Sequence, residues 1–203
     1  MTAPAPRTLL QMAGANLAPA KLHEAVLVLI DVQNEYVDGK LALPDARPAL
    51  KVIAGLLHRA RVQDAPIFHV VHKGGAGTGK AFDPETRGFE IADDAAPVGA
   101  EAIVEKGLPN AFANTTLLDL VKATGRKELI LAGFMTHMCV SSTARAALDL
   151  GFRTTIAADA CATRDLPDAL GGEPLSAAAI HRAALTELSD RFAVICRAAA
   201  IEA

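Results

Sequence analysis

The sequence predicts an α/β fold: one doubly wound domain in three layers, with a mainly parallel six-stranded sheet and helices on both faces. Three observations lead there. Short apolar runs alternate along the chain with stretches whose apolar residues recur every three or four positions. The runs themselves, AVLVLI for example, lack the in-out alternation of a half-exposed strand, so they belong in a sheet covered on both sides. A length of 203 residues with 51% hydrophobic content supplies one core rather than two.

The elements follow in order. Residues 1–20 are rich in Ala and Pro and show no sustained period. They read as an arm that packs across the domain or onto a second subunit, leaving 21–203 as the domain proper. AVLVLID is the first strand and ends in Asp31. Pro48 opens a helix, PALKVIAGLLHRARVQ, at a position where proline costs little. APIFHVV is the second strand, followed by a Gly- and Asp-rich loop over 73–99. EAIVEK is the third strand and ends at Lys106. Then come a helix in TTLLDLVKAT, a strand in ELILAG and a helix in HMCVSSTARAALDL that begins near Thr136. FRTTIAAD, LSAAAIHRAALTEL and FAVI complete the alternation as strand, helix and strand, with right-handed crossovers throughout.

Composition excludes several classes of function. A net charge of -3, only 4% aromatics and no Trp argue against nucleic acid or an anionic membrane as partner. The first 22 residues hold one Arg and no apolar run of signal-peptide length, and the other apolar runs are strand-sized. Three cysteines, Cys139, Cys161 and Cys196, are too few for a disulfide framework and fit reduced thiols in a cytoplasmic setting. The expected partner is a small molecule.

Two segments imitate known sites. Gly74 to Lys80, GGAGTGK, nearly spells a phosphate-binding loop. The next residue is Ala81, which has no hydroxyl for magnesium, and FDPETRG after it lacks a helical period. His69 and His72 suggest a metal pair. Positions three apart on a strand face opposite ways, so no metal and no cofactor are expected there.

Chemistry concentrates where ligands bind in such folds, at the carboxyl ends of the strands. Asp31 ends the first strand, Lys106 ends the third, and Cys139 follows the fourth in GFMTHMCV. A thiol beside a helix start and a lysine is expected to ionise readily, and a carboxylate can take its proton and later pass it to a leaving amine. Backbone N–H groups at Met135 and Cys139 could form an oxyanion hole.

These residues sit in segments that resemble the isochorismatase-like cysteine hydrolases, a superfamily that includes nicotinamidases and N-carbamoylsarcosine amidohydrolase. The matching pieces are LVLIDVQNEYVDG, IVEKGLPNAFANT and ELILAGFMTHMCVSSTARAALDLGFRTTIAADACATRD, and the likeness runs from about Ala25 to the C-terminus. The resemblance implies a catalytic triad of Asp31, Lys106 and Cys139. It also implies a cis peptide at Phe134–Met135 that aims the Met135 N–H into the site, and assembly as a dimer or tetramer. Metal-binding nicotinamidases carry an Asp-x-His segment near the second strand, where this chain has HVVHKGG, so no metal is implied.

Position places Gln33, Tyr36, Phe112, Phe134 and His137 in the substrate pocket. His137 lies only two residues from Cys139, a spacing at which side chains on a helix do not face each other, so it reads as a pocket or cap residue rather than a base. Cys161 and Cys196 read as packing residues, and Asp159 as one that orients its loop. The expected function is hydrolysis of an amide, lactam or carbamoyl C–N bond through a thioester. Alternatives are an isochorismatase-type vinyl-ether hydrolase with Asp31 as acid, a non-catalytic ligand-binding member, and, more weakly, a reversible thiol-redox role.

Overall fold

The strands β1 (Ala25–Ile30), β2 (Ile67–His72), β3 (Ala102–Lys106), β4 (Glu128–Phe134), β5 (Arg153–Ala162) and β6 (Val194–Cys196) form one sheet in a computed structural model that describes residues 5–203. The order is β3-β2-β1-β4-β5-β6, and every neighbouring pair is parallel. The chain builds outward from β1 to β3, then returns past β1 to lay down β4. That reversal leaves a crevice outside the carboxyl ends of β1 and β4, the usual ligand position in open α/β sheets.

Each central strand contributes to two cores. Leu27 and Leu29 of β1 pack with Ile53 and Leu57 of α3 (Ala46–Val62). Val26, Val28 and Ile30 point the other way, into the core with α4 (Leu117–Ala123), α5 (Ser141–Asp149) and α6 (Ala177–Arg191). Burying a Leu or Val side chain is worth about 1.5–3 kcal/mol, so a strand apolar on both faces is held where both layers cover it. In α3 the buried Leu50, Ile53, Leu57 and Ala60 recur at three and four residues, as an amphipathic helix requires.

Differences from the sequence reading have local causes. Helix α3 starts at Ala46, which puts Pro48 in the first turn, where its missing N–H has no partner to lose. Strand β5 runs on to Ala162, beyond the expected end at Asp159, because its pairing with β4 shifts register between Leu131 and Gly133. The 73–99 segment holds only two 3₁₀ turns, at Arg87–Phe89 and Asp93–Ala95, so the crossover from β2 to β3 has no α-helix.

The described part of the arm packs across its own domain. Helix α1 (Leu9–Met12) is closed by a capping box: the Gln11 N–H donates to Thr8 Oγ1 at 3.1 Å and the Thr8 N–H to Gln11 Oε1 at 2.9 Å. The Leu9 N–H donates to Asp190 of α6 at 2.7 Å, and the Ala20 N–H to Thr155 of β5 at 2.9 Å. Arm residues 1–4 lie outside the described residues. No described helix is long and apolar enough to cross a membrane.

Candidate active site

Local backbone features bring three reactive side chains to the crevice. Asp31 directly follows β1 at φ 51, a left-handed conformation that Asp tolerates better than a branched residue, while its N–H still donates to Val70 O at 2.8 Å. Lys106 ends β3 directly opposite His72 on β2. On β4, Gly133 adopts φ 120, and a Cβ there would lie 2.0 Å from Ile30 O. Only glycine lets the end of β4 come this close to β1.

A cis peptide at Phe134–Met135 follows, as the resemblance implied. Thr136–Val140 then form a π turn rather than the expected α-helical start. The Met138 and Val140 N–H groups both donate to Met135 O, at 3.0 and 3.3 Å, and α5 begins only at Ser141. Such wide turns recur at functional sites. Here it carries Cys139 inward. The Met135 N–H, one of the expected oxyanion donors, makes no backbone hydrogen bond among the described residues.

Lys106 is the hub. Its Nζ lies 2.8 Å from Asp31 Oδ2, 3.3 Å from Cys139 Sγ and 3.2 Å from His72 Nδ1. Asp31 is fully buried, and Lys106 and Cys139 are 2% and 4% exposed, so water does not screen these contacts. The Asp31 carboxylate and the Cys139 thiol thus share one ammonium.

Burial raises the pKa of Asp31, and the Lys106 charge opposes it. Burial likewise pushes the Cys139 thiol up, with the Asp31 charge adding to the effect and Lys106 working against it. This corrects the expectation of a readily ionised thiol: removal from water outweighs the lysine and the turn. One cation balances one anion, so the pair holds a single negative charge between carboxylate and sulfur.

The remaining pocket residues divide. Tyr36, on α2 (Asn34–Val37), is buried edge-on to Phe134 at 5.8 Å and to Phe82 at 5.1 Å, close enough for the charges of Asp31 and Cys139 to raise its phenol pKa further after burial. Phe82 was not anticipated. It comes from the irregular 73–99 segment, is 6% exposed, and also stands edge-on to His72 at 5.0 Å. No periodic pattern could have marked it.

Gln33 does not face the pocket. Its amide accepts the His72 N–H at 2.8 Å and donates to His72 O at 3.0 Å and Phe89 O at 2.8 Å, which leaves it a brace for the end of β2. Phe112 is also elsewhere: it stacks on Phe152, the residue before β5 at the amino end of the sheet, at 6.1 Å and 7°. His137 pairs through Nδ1 with Thr163 Oγ1 and points toward β5 rather than toward the sulfur.

Cys161 is buried beside Gly133 and lines a separate cleft of about 270 Å³ with Asp159, Thr163 and His181. Asp159 accepts the Ala198 N–H at 2.7 Å and so orients the C-terminal segment. Cys196 is half-buried at the end of β6.

The two imitations resolve as well. His69 Nε2 meets Glu101 Oε2 at 2.8 Å, and Glu101 also takes Arg61 at 2.8 Å, while His72 turns to Lys106 on the opposite face. In the GGAGTGK loop the Asp83 carboxylate accepts the N–H groups of Gly77 at 3.0 Å and Gly79 at 2.7 Å, and no α-helix lies between it and β3.

A buried thiol with a carboxylate and an ammonium, at the switch point of a parallel sheet, is an arrangement suited to an α/β cysteine hydrolase. The chain belongs to the isochorismatase family of hydrolases, matching the Isochorismatase domain over residues 25–200. An isochorismatase from Pseudomonas putida KT2440 superposes with a TM-score of 0.91 at 39% identity, over 97% of this chain and all of that one. The secreted isochorismatase effector Isc1 of Verticillium dahliae is 37% identical over 91% of this chain and 93% of its own. A streptothricin hydrolase of Streptomyces noursei is 39% identical over 86% of this chain and 63% of its own. Further relatives include a nicotinamidase and a ureidoacrylate amidohydrolase.

Proposed function

We propose that this chain hydrolyses a C–N bond of a small amide, lactam or carbamoyl compound through a thioester on Cys139. The observation that carries the reading is the single cation, Lys106, held 2.8 Å from a carboxylate and 3.3 Å from a thiol in a water-excluded crevice. Amidohydrolases among the relatives support it.

The thiol starts protonated. As Sγ attacks the carbonyl carbon, Asp31 takes the thiol proton, so the site never carries two negative charges. The carbonyl oxygen becomes an oxyanion facing the Met135 and Cys139 N–H groups. Collapse of this intermediate breaks the C–N bond, and Asp31 gives its proton to the departing nitrogen. Water then attacks the thioester as Asp31 takes one of its protons. The C–S bond breaks, and that proton returns to sulfur. The Lys106 side chain balances whichever anion is present.

Intact-protein mass spectrometry after incubation with an amide and lactam library tests this directly. An acyl adduct mapped to Cys139 is expected. No adduct with any member, together with turnover of a vinyl ether that survives thiol alkylation, would replace the reading with ether hydrolysis.

A further inference from the structure

Lys106 has three N–H bonds, and the structure surrounds it with three acceptors: Asp31 Oδ2, Cys139 Sγ and His72 Nδ1. The first two belong to the chemistry. The third has no part in it, yet it decides where the ammonium points. We propose that His72 is a positioning residue for Cys139, accepting a hydrogen bond from Lys106 and so holding the ammonium between the carboxylate and the sulfur. The proposal rests on Cys139 being the nucleophile.

Geometry supports it from several sides. His72 and Lys106 are register partners on adjacent parallel strands, so their side chains lie side by side on one face. The His72 backbone cannot drift, because Gln33 accepts its N–H and donates to its carbonyl. Its ring is buttressed by Phe82, an apolar neighbour from the 73–99 segment. An ammonium only donates, so Nδ1 must be the accepting nitrogen and the proton sits on Nε2.

The charged and titratable groups nearby are Asp31 from β1, Lys106 from β3, Cys139 from the π turn and Tyr36 from α2. Burial first, and then the Lys106 charge, hold His72 down at about 4, so its ring is neutral and able to accept throughout the neutral range. Without that acceptor, one N–H of a buried ammonium is orphaned, and the group is free to swing away from sulfur.

The test is the pH dependence of Cys139 alkylation by iodoacetamide, read at the Cys139 peptide by mass spectrometry so that Cys161 and Cys196 do not contribute. Wild type is compared with His72→Leu, which removes the acceptor, and His72→Asn, whose side-chain oxygen restores one near the Nδ1 position. In His72→Leu the alkylation midpoint is expected to rise by about one pH unit and the rate below it to fall about tenfold. His72→Asn should stay within about threefold of wild type. A packing role alone predicts equal loss in both variants. That result, or an unchanged midpoint in His72→Leu, overturns the proposal. If His72→Leu does not fold, His72→Ala carries the same comparison. Alkylation needs no substrate, so a chain that showed the Leu/Asn split but acylated with no amide would sink the amide-hydrolysis reading while leaving the placement of the ammonium at Cys139 by His72 standing.

Discussion

Cys139 and Cys161 are a natural experiment within one molecule. Both thiols are buried, at 4% and 5% exposure, and burial pushes both well above the ordinary cysteine range. They differ in company. Cys139 has a cation in contact and a carboxylate paired to that same cation, whereas Cys161 has the Gly133 backbone, which lowers its pKa, and the Asp159 charge, which raises it. Burial alone therefore does not separate the two thiols. What distinguishes Cys139 is its neighbours, which under the proposed mechanism remove the proton during attack and balance the charge.

The comparison breaks most sharply on deletion. Cys139→Ala should lower turnover by about 10³-fold or more, while Cys161→Ala leaves it within about threefold in the same steady-state assay. Equal losses would show that the neighbours do not matter.

Asp31→Asn separates the proton acceptor from the charge. Turnover should fall by about 10²–10⁴-fold for want of a base. The same change removes a negative charge that raises the Cys139 pKa, so the alkylation midpoint should move down. Activity and thiol ionisation thus shift in opposite senses. In wild type, burial raises the Asp31 pKa above 3.8, so kcat/KM should decline on the acid side as Asp31 takes up a proton above the usual carboxylic range.

The smallest effect belongs to a purely structural ion cluster, Glu101 with Arg61 and His69. Burial there favours the neutral acid, but hydrogen bonds from Arg61 and His69 win and hold Glu101 at about 2, below its ordinary 4.5. Its stabilisation is therefore fully present above pH 4.5 and is lost as pH falls toward 2. Glu101→Gln should cost about 1.5–3 kcal/mol in urea unfolding at pH 7, with kcat unchanged. A large loss of kcat instead would tie this cluster to the crevice.

Much of the crevice could be read from order alone. Asp31, Lys106 and Cys139 each end or follow an apolar run, and a parallel sheet must bring such positions to one edge. The failures share another origin. Phe82, His72, Gln33 and Phe112 take their roles from contacts with the 73–99 segment or with distant strands, which no periodicity encodes. The thiol's raised pKa is not legible in the sequence, because neighbours are visible there and burial is not. The π turn is not legible either, because a helix start of either pitch shows the same residues.

The glycine loop near Asp83 carries one last implication. Its N–H groups at Gly77 and Gly79 already hold a carboxylate supplied six and four residues further along the same chain. A free phosphate would compete against a tethered rival whose local concentration is about millimolar or more. Nucleotide triphosphates should thus find this nest taken, and its glycines serve to fold a short hairpin of backbone around the protein's own anion.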